Sequence, residues 1–208
     1  MAKIITIAQQ KGGAGKSTVA AHLAIAIFQK GKRVTLVDID PQGSLSYWYG
    51  LREGKFGKGY TGISFASSSG WRLSSSLPAA KVNSDFIIID SPPHTETEAK
   101  AAIRAADLVI VPMQPSPTDL WATKDTMDFA KLEKKIAKVL LNRYNGSKVA
   151  KDIAGRVDDV FTTTLGNRVL FSSCFNSGSC VTETDPHSQA AAEVRALADE
   201  ALALLPLE

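Results

Sequence analysis

The segment Lys11–Thr18 reads KGGAGKST and lies between an apolar run at residues 4–8 and a helical pattern that extends from Ser17 to Gln29. A strand that feeds a glycine-rich turn at the start of a helix directs backbone N–H groups, and the positive end of the helix dipole, at one point. Glycines in the turn let the backbone approach an anion with no Cβ in the way. The segment therefore predicts a phosphate-binding loop.

The side chains of this loop predict a nucleotide with Mg²⁺ as its ligand. In loops of the pattern G-x-x-x-x-G-K-[ST], the lysine contacts the β- and γ-phosphates and the hydroxyl binds Mg²⁺. Lys16 and Ser17 occupy these two positions. The sequence departs from the pattern at its first glycine, which is Gln10 here, and a second lysine, Lys11, begins the loop.

Polar side chains follow three further apolar runs that predict parallel strands. Asp38 and Asp40 come after residues 34–37, Asp90 after 86–89 and Asn142 after 139–141. Parallel strands present their carboxyl ends at one edge of a sheet, so these residues are expected near the phosphate loop. Carboxylates beside phosphates would repel them unless Mg²⁺ or a polarised water lay between. An aspartate at such a position also caps helices, and an asparagine there is also an ordinary turn residue.

Taken together, these motifs resemble those of the ParA/MinD family of deviant Walker ATPases. The resemblance rests on the KGGAGKST loop, the D-I-D-P-Q string from Asp38, the strand ending in Asp90, the Pro-Ser-Pro loop at 115–117, the strand before Asn142 and the V-T-E-T-D-P segment at 181–186. It covers essentially the whole chain. It implies an α/β fold of the P-loop NTPase class, deviant Walker A subclass, with a mostly parallel open sheet wrapped by helices.

The resemblance also implies roles for residues at matching positions. Lys11 would reach the phosphates of a partner subunit in a nucleotide-sandwich homodimer, Lys16 would bind the phosphates of its own subunit, and Asp40 would position the attacking water; Lys11, Lys16 and Asp40 are thus the expected catalytic residues. Mg²⁺ would be held by Ser17, Asp38 and Asp90. ATP would be bound by Lys11, Gly12, Gly13, Ala14, Gly15, Lys16, Ser17, Thr18 and Asn142.

Charge is unevenly distributed along the chain. Of 24 basic and 21 acidic residues, four and nine fall in residues 151–208, which leaves 20 basic and 12 acidic in residues 1–150. A polyanion is therefore expected to meet the first three quarters of the chain. Lys131, Lys134, Lys135 and Lys138 have the i, i+3, i+4, i+7 spacing of one helix face. Such a face is often merely solvated, but the family commonly binds DNA without sequence preference.

A second observation bears on the DNA-binding surface. His187 and Gln189 stand where partition ATPases often have Arg or Lys, so the candidate DNA contacts become Arg168 and Arg195 together with the four lysines. The acidic C-terminal tail argues against a membrane-cycling role of the MinD type.

The remaining features favour a single cytoplasmic domain spanning residues 1–208, with no signal-peptide pattern and no apolar run of membrane-spanning length. Cys174 and Cys180 match no zinc, redox or cluster motif and are expected to be packing residues. The Gly- and Ser-rich stretch 50–84 predicts a mobile surface region. Residues 147–160 predict a helix, 161–165 a strand and 188–205 the last helix.

The function that the resemblance implies is an ATPase that dimerises with ATP, binds the nucleoid nonspecifically and positions a cargo. Hydrolysis would be stimulated by a cargo adaptor or ParB-like partner. The cargo, whether a plasmid, a chromosome origin or a protein cluster, is not specified by the sequence. The alternative is a metabolic ATP-dependent synthetase or another non-DNA ATPase on the same scaffold.

Overall fold

In a computed structural model that describes residues 1–93 and 96–207, six parallel strands form one sheet in the order β3-β2-β4-β1-β5-β6. The strands are β1 (Lys3–Ile7), β2 (Val34–Asp38), β3 (Ser64–Ser67), β4 (Phe86–Asp90), β5 (Leu108–Met113) and β6 (Ile136–Leu141). The helices are α1 (Lys16–Gln29), α2 (Ser44–Phe56), α3 (Leu73–Asn83), α4 (Glu96–Ala105), α5 (Pro117–Leu132), α6 (Lys148–Ala154), α7 (Val169–Phe175), α8 (Val181–Thr184) and α9 (Gln189–Leu204). The predicted α/β class is confirmed.

Helices cover both faces of this sheet because the central strands are apolar on both sides. Within β4, Phe86 and Ile88 belong to a core that includes residues of α1 and α9, whereas Ile87 and Ile89 pack with Leu73 of α3 and with α4. This alternation follows from the two-residue period of a strand. An uninterrupted apolar run thus becomes a buried central strand.

The register of the parallel strands brings the polar residues at their ends to one edge. Asp90 is the Cα partner of Ile7 on one side and of Asp38 on the other. The phosphate loop follows β1 at the same edge, and Asn142 follows β6. The expected convergence of these residues on the phosphate loop is therefore a direct consequence of the topology.

The stretch 50–84 is more ordered than its composition predicts. It contains the end of α2, strand β3, a turn of 3₁₀ helix at Gly70–Arg72 and helix α3. Tyr49 stacks on Phe65 with ring centroids 4.5 Å apart, and Leu73 and Leu77 are buried. A few large apolar side chains anchor an otherwise small and polar segment, so the prediction of a mobile region is wrong.

Other boundaries also differ from the sequence-based expectation. Helix α6 ends at Ala154, and residues 160–166 meet β6 and Tyr144 through isolated bridges rather than as a strand. Strand β5 continues through Pro112, and α7 was not predicted. The last helix is confirmed, with Ser188 as its N-cap. Cys174 and Cys180 are free and buried, as expected of packing residues.

Candidate nucleotide site

The phosphate loop connects β1 to α1 and depends on two glycines in the left-handed region. Gly13 has φ = 76° and Gly15 has φ = 92°. A Cβ on Gly15 would also lie 2.4 Å from Nδ2 of Asn142, so this position excludes any side chain for two separate reasons. Ala14 between them is buried, which leaves the loop backbone to line the site.

Lys16 begins α1 and is only 6% exposed. Burial lowers the pKa of its ammonium group, and the negative charges of Asp90 and Asp40 oppose that shift. Without a phosphate, the cation is thus stabilised by carboxylates from two neighbouring strand ends. The same cation lies at the start of α1, where an anionic ligand would also meet the helix dipole.

Asp90 at the end of β4 is the most unusual group of the site. Both of its carboxylate oxygens are buried, and within residues 1–93 and 96–207 neither has a hydrogen bond of good geometry. Burial, as the main cause, raises the pKa of Asp90 to about 7, the Ser17 hydroxyl opposes the rise, and Asp38 adds to it. A buried carboxylate without donors beside a hydroxyl fits a hard cation that prefers oxygen ligands, such as Mg²⁺. Ser17 and Asp90 would hold it.

Asp38 is occupied by the protein itself. Its Oδ2 accepts hydrogen bonds from the backbone N–H (2.9 Å) and hydroxyl (2.8 Å) of Ser46, and its Oδ1 accepts one from the N–H of Asp40 (3.1 Å). Asp38 therefore fixes the first turn of α2 and the segment that carries Asp40. These hydrogen bonds use most of the lone pairs of the Asp38 carboxylate. Direct binding of Mg²⁺ by Asp38 remains a prediction.

Asp40 lies just after β2 and is only half-buried. Its Oδ1 accepts a hydrogen bond from the N–H of Gln42 at 2.9 Å, which forms a tight local turn, and its charge reaches Lys16. One oxygen is thus used to orient the side chain. The other oxygen accepts no hydrogen bond from the residues that the structure describes, which fits the predicted role of orienting a water.

Lys11 does not point freely toward solvent. Its Nζ contacts the carboxylate of Asp119 and donates to the hydroxyl of Thr118 at 3.1 Å. Gln114, the first residue after β5, donates from Nε2 to the carbonyl of Gly13 at 2.9 Å. The loop before α5 and the first turn of that helix therefore each hold the phosphate loop at one point.

Asn142 closes the other side of the loop. Its Nδ2 donates to the carbonyl of Ala14 at 2.8 Å and its Oδ1 accepts from the N–H of Arg143 at 3.0 Å. One N–H and one lone pair remain for a ligand, as an adenine contact would require. Asn142 lines a cavity of about 270 Å³ that continues from Gly15 and Thr18 to residues 165–172.

Four residues that shape the site were not predicted from the sequence: Gln114, Asp119, Ser46 and His22. Gln114 could have been found, because it is the first polar residue after a buried parallel strand, as Asp90 and Asn142 are. Asp119 and Ser46 reveal their partners only through tertiary contacts. His22 gave no motif signal because it lies one turn beyond the phosphate loop in α1.

His22 is buried and neutral. Its Nδ1 lies 2.8 Å from the carbonyl oxygen of Thr18, and burial, as the main cause, lowers its pKa from 6.5 to about 4. The unfolded chain therefore binds more protons than the folded one between these two pH values. The stability associated with a neutral His22 is complete above pH 6.5 and is lost as pH falls toward 4.

We expect the free energy of unfolding to drop by about 3 kcal/mol between pH 7 and pH 4 because of His22 alone, since one unit of pKa corresponds to about 1.4 kcal/mol. Urea unfolding of the parent chain and of His22→Gln at both pH values measures this contribution. Other groups titrate in both chains and cancel in the difference. Equal pH dependence of the two chains would refute the assignment.

The four candidate DNA lysines do not share a helix face, so that prediction is wrong. Lys131 is in the last turn of α5, Lys134 and Lys135 follow the helix, and Lys138 lies in β6. Lys134 adopts φ = 54°, which ends the helical path. They nevertheless line one groove of about 740 Å³, together with Lys124 and Arg156 and with three carboxylates, Asp128, Asp158 and Asp159.

The two candidate arginines lie elsewhere. Arg168 pairs with Glu193 at 2.7 Å and lines the cavity beside Asn142. Arg195 donates to the carbonyl of Pro186 at 2.6 Å. Neither lines the lysine groove, so the six residues do not form the single surface that was expected.

Within the described residues, no helix is both long and apolar enough to cross a membrane.

Several curated relatives match most of the chain. "Maintenance of carboxysome distribution protein A" of Halothiobacillus neapolitanus is 27% identical over 91% of both chains. "Sporulation initiation inhibitor protein Soj" of Bacillus subtilis is 28% identical over 98% of this chain and 99% of its own.

Solved structures share the fold. The septum site-determining protein MinD of Pyrococcus horikoshii, complexed with Mg-ADP, superposes with a TM-score of 0.82 at 23% identity, over 97% of this chain and 96% of that one. A family model described as "CobQ/CobB/MinD/ParA nucleotide binding domain" matches residues 5–173. The phosphate loop, Asp38, Asp90 and Asn142 all fall within that match, and the chain belongs to this family of nucleotide-binding domains.

Proposed function

We propose that the chain binds ATP with Mg²⁺, dimerises in that state and hydrolyses the nucleotide. The observation that carries this proposal is the buried pair of Lys16 and Asp90 beside a glycine loop with two left-handed residues. Burial of the Lys16 ammonium is costly despite its neighbouring carboxylates, and so is burial of the Asp90 carboxylate, which has no donor of good geometry within the described residues. A Mg²⁺–nucleotide complex would supply a partner to both.

The roles of the residues follow from their places. Loop N–H groups and Lys16 bind the phosphates, and Ser17 and Asp90 hold Mg²⁺, which neutralises phosphate charge when bound. Asp38 positions Asp40 through the hydrogen bond to its N–H, and Asp40 orients the attacking water. Asn142 keeps the loop closed by bonding Ala14 and offers its remaining N–H and lone pair to the base.

In the proposed dimer, Lys11 binds the phosphates of the partner subunit, a role that it does not have within its own subunit. Lys16 already supplies a cation to the phosphates within the subunit, whereas the Lys11 side chain is 37% exposed at the edge of the site. In the dimer, Lys11 crosses to the phosphates of the partner subunit. The resemblance of the KGGAGKST loop to the deviant Walker loop of the ParA/MinD family supports this reading of the doubled lysine.

The nucleotide-bound dimer binds DNA without sequence preference, and the lysine groove is its contact surface. Six basic side chains against three carboxylates give the groove a net positive charge. A dimer presents two grooves, and affinity for a polyanion rises steeply with the number of phosphates that are neutralised. One subunit alone is expected to bind too weakly at physiological salt.

Cargo positioning completes the proposal. The named relatives act in carboxysome distribution and in sporulation control, and both span nearly the whole chain. We infer that this chain moves a cargo over the nucleoid of the cytoplasm while a cargo adaptor or ParB-like partner stimulates hydrolysis. A membrane is not part of this cycle.

Asp40→Ala is the test of the hydrolysis mechanism. Because Asp40 orients water and does not hold phosphate, the variant should keep its ATP affinity within about twofold and lose about 100-fold or more in turnover, within the range expected for a general-base group. Phosphate release and binding of a labelled ATP analogue measure the two quantities. Glu53→Ala, which removes a half-buried carboxylate from α2, is the control. Turnover at the parent rate in Asp40→Ala would show that Asp40 is only a turn residue.

Charge reversal at Lys134 and Lys135 is the test of the DNA surface. The Lys134→Glu plus Lys135→Glu variant should form ATP-dependent dimers normally and lose about 100-fold or more in affinity for random-sequence duplex, because four contacts per dimer become repulsive. Fluorescence anisotropy at two salt concentrations measures the change and its salt slope. Lys55→Glu plus Lys58→Glu, outside the groove, is a matched control. Unchanged DNA affinity would move the contact surface elsewhere.

A further inference from the structure

Lys11, the residue assigned to the partner subunit, is bound within its own subunit. Its ammonium contacts the Asp119 carboxylate and the Thr118 hydroxyl, both in the first turn of α5. The Asp119 side chain is 1% exposed, against 37% for Lys11. The contact therefore joins an accessible cation to a buried anion.

Asp119 is held rigidly in place. Its Oδ2 accepts a hydrogen bond from the hydroxyl of Ser116, and Ser116 in turn caps α5 by accepting the N–H of Asp119 at 3.2 Å. The N–H of Gln114 lies 3.4 Å from its Oδ1. This carboxylate cannot follow Lys11 if the lysine leaves, since the Ser116 hydroxyl and the Gln114 N–H hold it at the helix start.

The same region is joined to the phosphate loop by further contacts. Gln114 donates to the carbonyl of Gly13, and Gln9, just before the loop, donates from Nε2 to the hydroxyl of Thr123 in α5 at 2.9 Å. The start of α5 and the phosphate loop are thus one connected unit. The contact between Lys11 and Asp119 is therefore part of the nucleotide site.

We propose that Asp119 is a positioning residue that holds Lys11 in its own subunit and thereby sets how readily the ATP-bound dimer forms. The inference rests on the proposed function, in which Lys11 crosses to a partner. One ammonium cannot contact Asp119 and a phosphate of another subunit at once. Its departure leaves a buried carboxylate without its cation, which opposes dimerisation. ATP binding by the single subunit does not use this contact.

Asp119→Asn tests the proposal, because asparagine keeps the shape and an acceptor oxygen but removes the charge. The midpoint protein concentration for dimerisation, measured by sedimentation with Mg²⁺ and a nonhydrolysable ATP analogue, should fall about fivefold or more, as expected for loss of an ion pair of about 1 kcal/mol. Analogue affinity measured at protein concentrations below dimerisation should stay within twofold. Asp125→Asn, an exposed carboxylate of the same helix, should match the parent chain.

Amine labelling of the nucleotide-free chain gives a second readout that a purely structural role would not change. Without its carboxylate partner, Lys11 should react with an acylating reagent about threefold faster or more in Asp119→Asn, while other lysines react as in the parent. Thr118→Val removes only the hydroxyl contact, so it should shift both readouts in the same direction by a smaller factor. It also covers the case in which Asp119→Asn does not fold.

The outcomes separate the two proposals. If the parent dimerises with the analogue but Asp119→Asn and Thr118→Val leave both the midpoint and the labelling unchanged, the role of Asp119 is refuted and the proposed function stands. A higher midpoint in Asp119→Asn refutes it as well. If the parent itself does not dimerise, the proposed function fails and this inference fails with it, whatever the labelling shows.

Discussion

Lys16→Ala is expected to abolish ATP binding, with a loss of about 100-fold or more in affinity. Lys16 is the buried cation beside the Asp90 and Asp40 carboxylates. Without it, the phosphates would face two carboxylates that the buried ammonium group no longer offsets. Removing one partner from a buried charged contact costs about 2 to 5 kcal/mol. Calorimetric titration with a Mg²⁺–ATP analogue measures the loss.

Lys58→Ala is the matched control for this variant, because it removes an exposed lysine from the surface segment between α2 and β3. Its affinity should equal that of the parent. Thermal unfolding of Lys16→Ala confirms that the variant is folded before it is titrated. Parent-like affinity in folded Lys16→Ala would rule out the phosphate-loop assignment.

Lys11→Ala is expected to keep nucleotide binding but to weaken dimerisation and DNA binding. The variant keeps Lys16, Ser17 and Asp90, so its affinity for the ATP analogue should stay within a few fold of the parent. It removes two intersubunit cation–phosphate contacts from the dimer, and dimerisation should weaken by about 100-fold or more at a typical cost of 2 kcal/mol or more for each.

DNA binding of Lys11→Ala should be lost in parallel, since the two grooves no longer act together. Sedimentation and anisotropy with the ATP analogue measure the two effects on one preparation. Lys58→Ala again serves as the control. If Lys11→Ala forms dimers at the parent concentration, Lys11 does not cross to the partner and the dimer geometry proposed above is wrong.

The nucleotide site was largely predictable because its signals are local. A glycine loop after an apolar strand and polar residues after three other strands require only that the strands be parallel. The register confirms this, as Asp38 and Asp90 are direct strand neighbours. The hydrogen bonds that both Asp38 oxygens accept from Ser46 and Asp40 were not predictable, because Ser46 is eight residues away and meets Asp38 only when the first turn of α2 has formed.

The arrangement of the four lysines, in contrast, was not predictable from their local spacing. Spacing of i, i+3, i+4 and i+7 predicts one helix face only if the helix continues, and here it ends at Leu132 before a left-handed Lys134. The lysines still meet around one groove, because the turn brings β6 alongside α5. The contact of Lys11 with Asp119 spans 108 positions in the sequence, so no local pattern could reveal it.

Sedimentation velocity of the parent chain, with and without Mg²⁺–ATP analogue and then with random-sequence duplex, tests the central claim most directly. The account predicts single subunits without nucleotide, dimers with it, and a DNA complex that forms only from the dimers and dissociates as salt is raised from low to moderate concentration. Nucleotide-dependent dimers that fail to bind duplex even at low salt would contradict it and would favour a metabolic synthetase or another non-DNA ATPase.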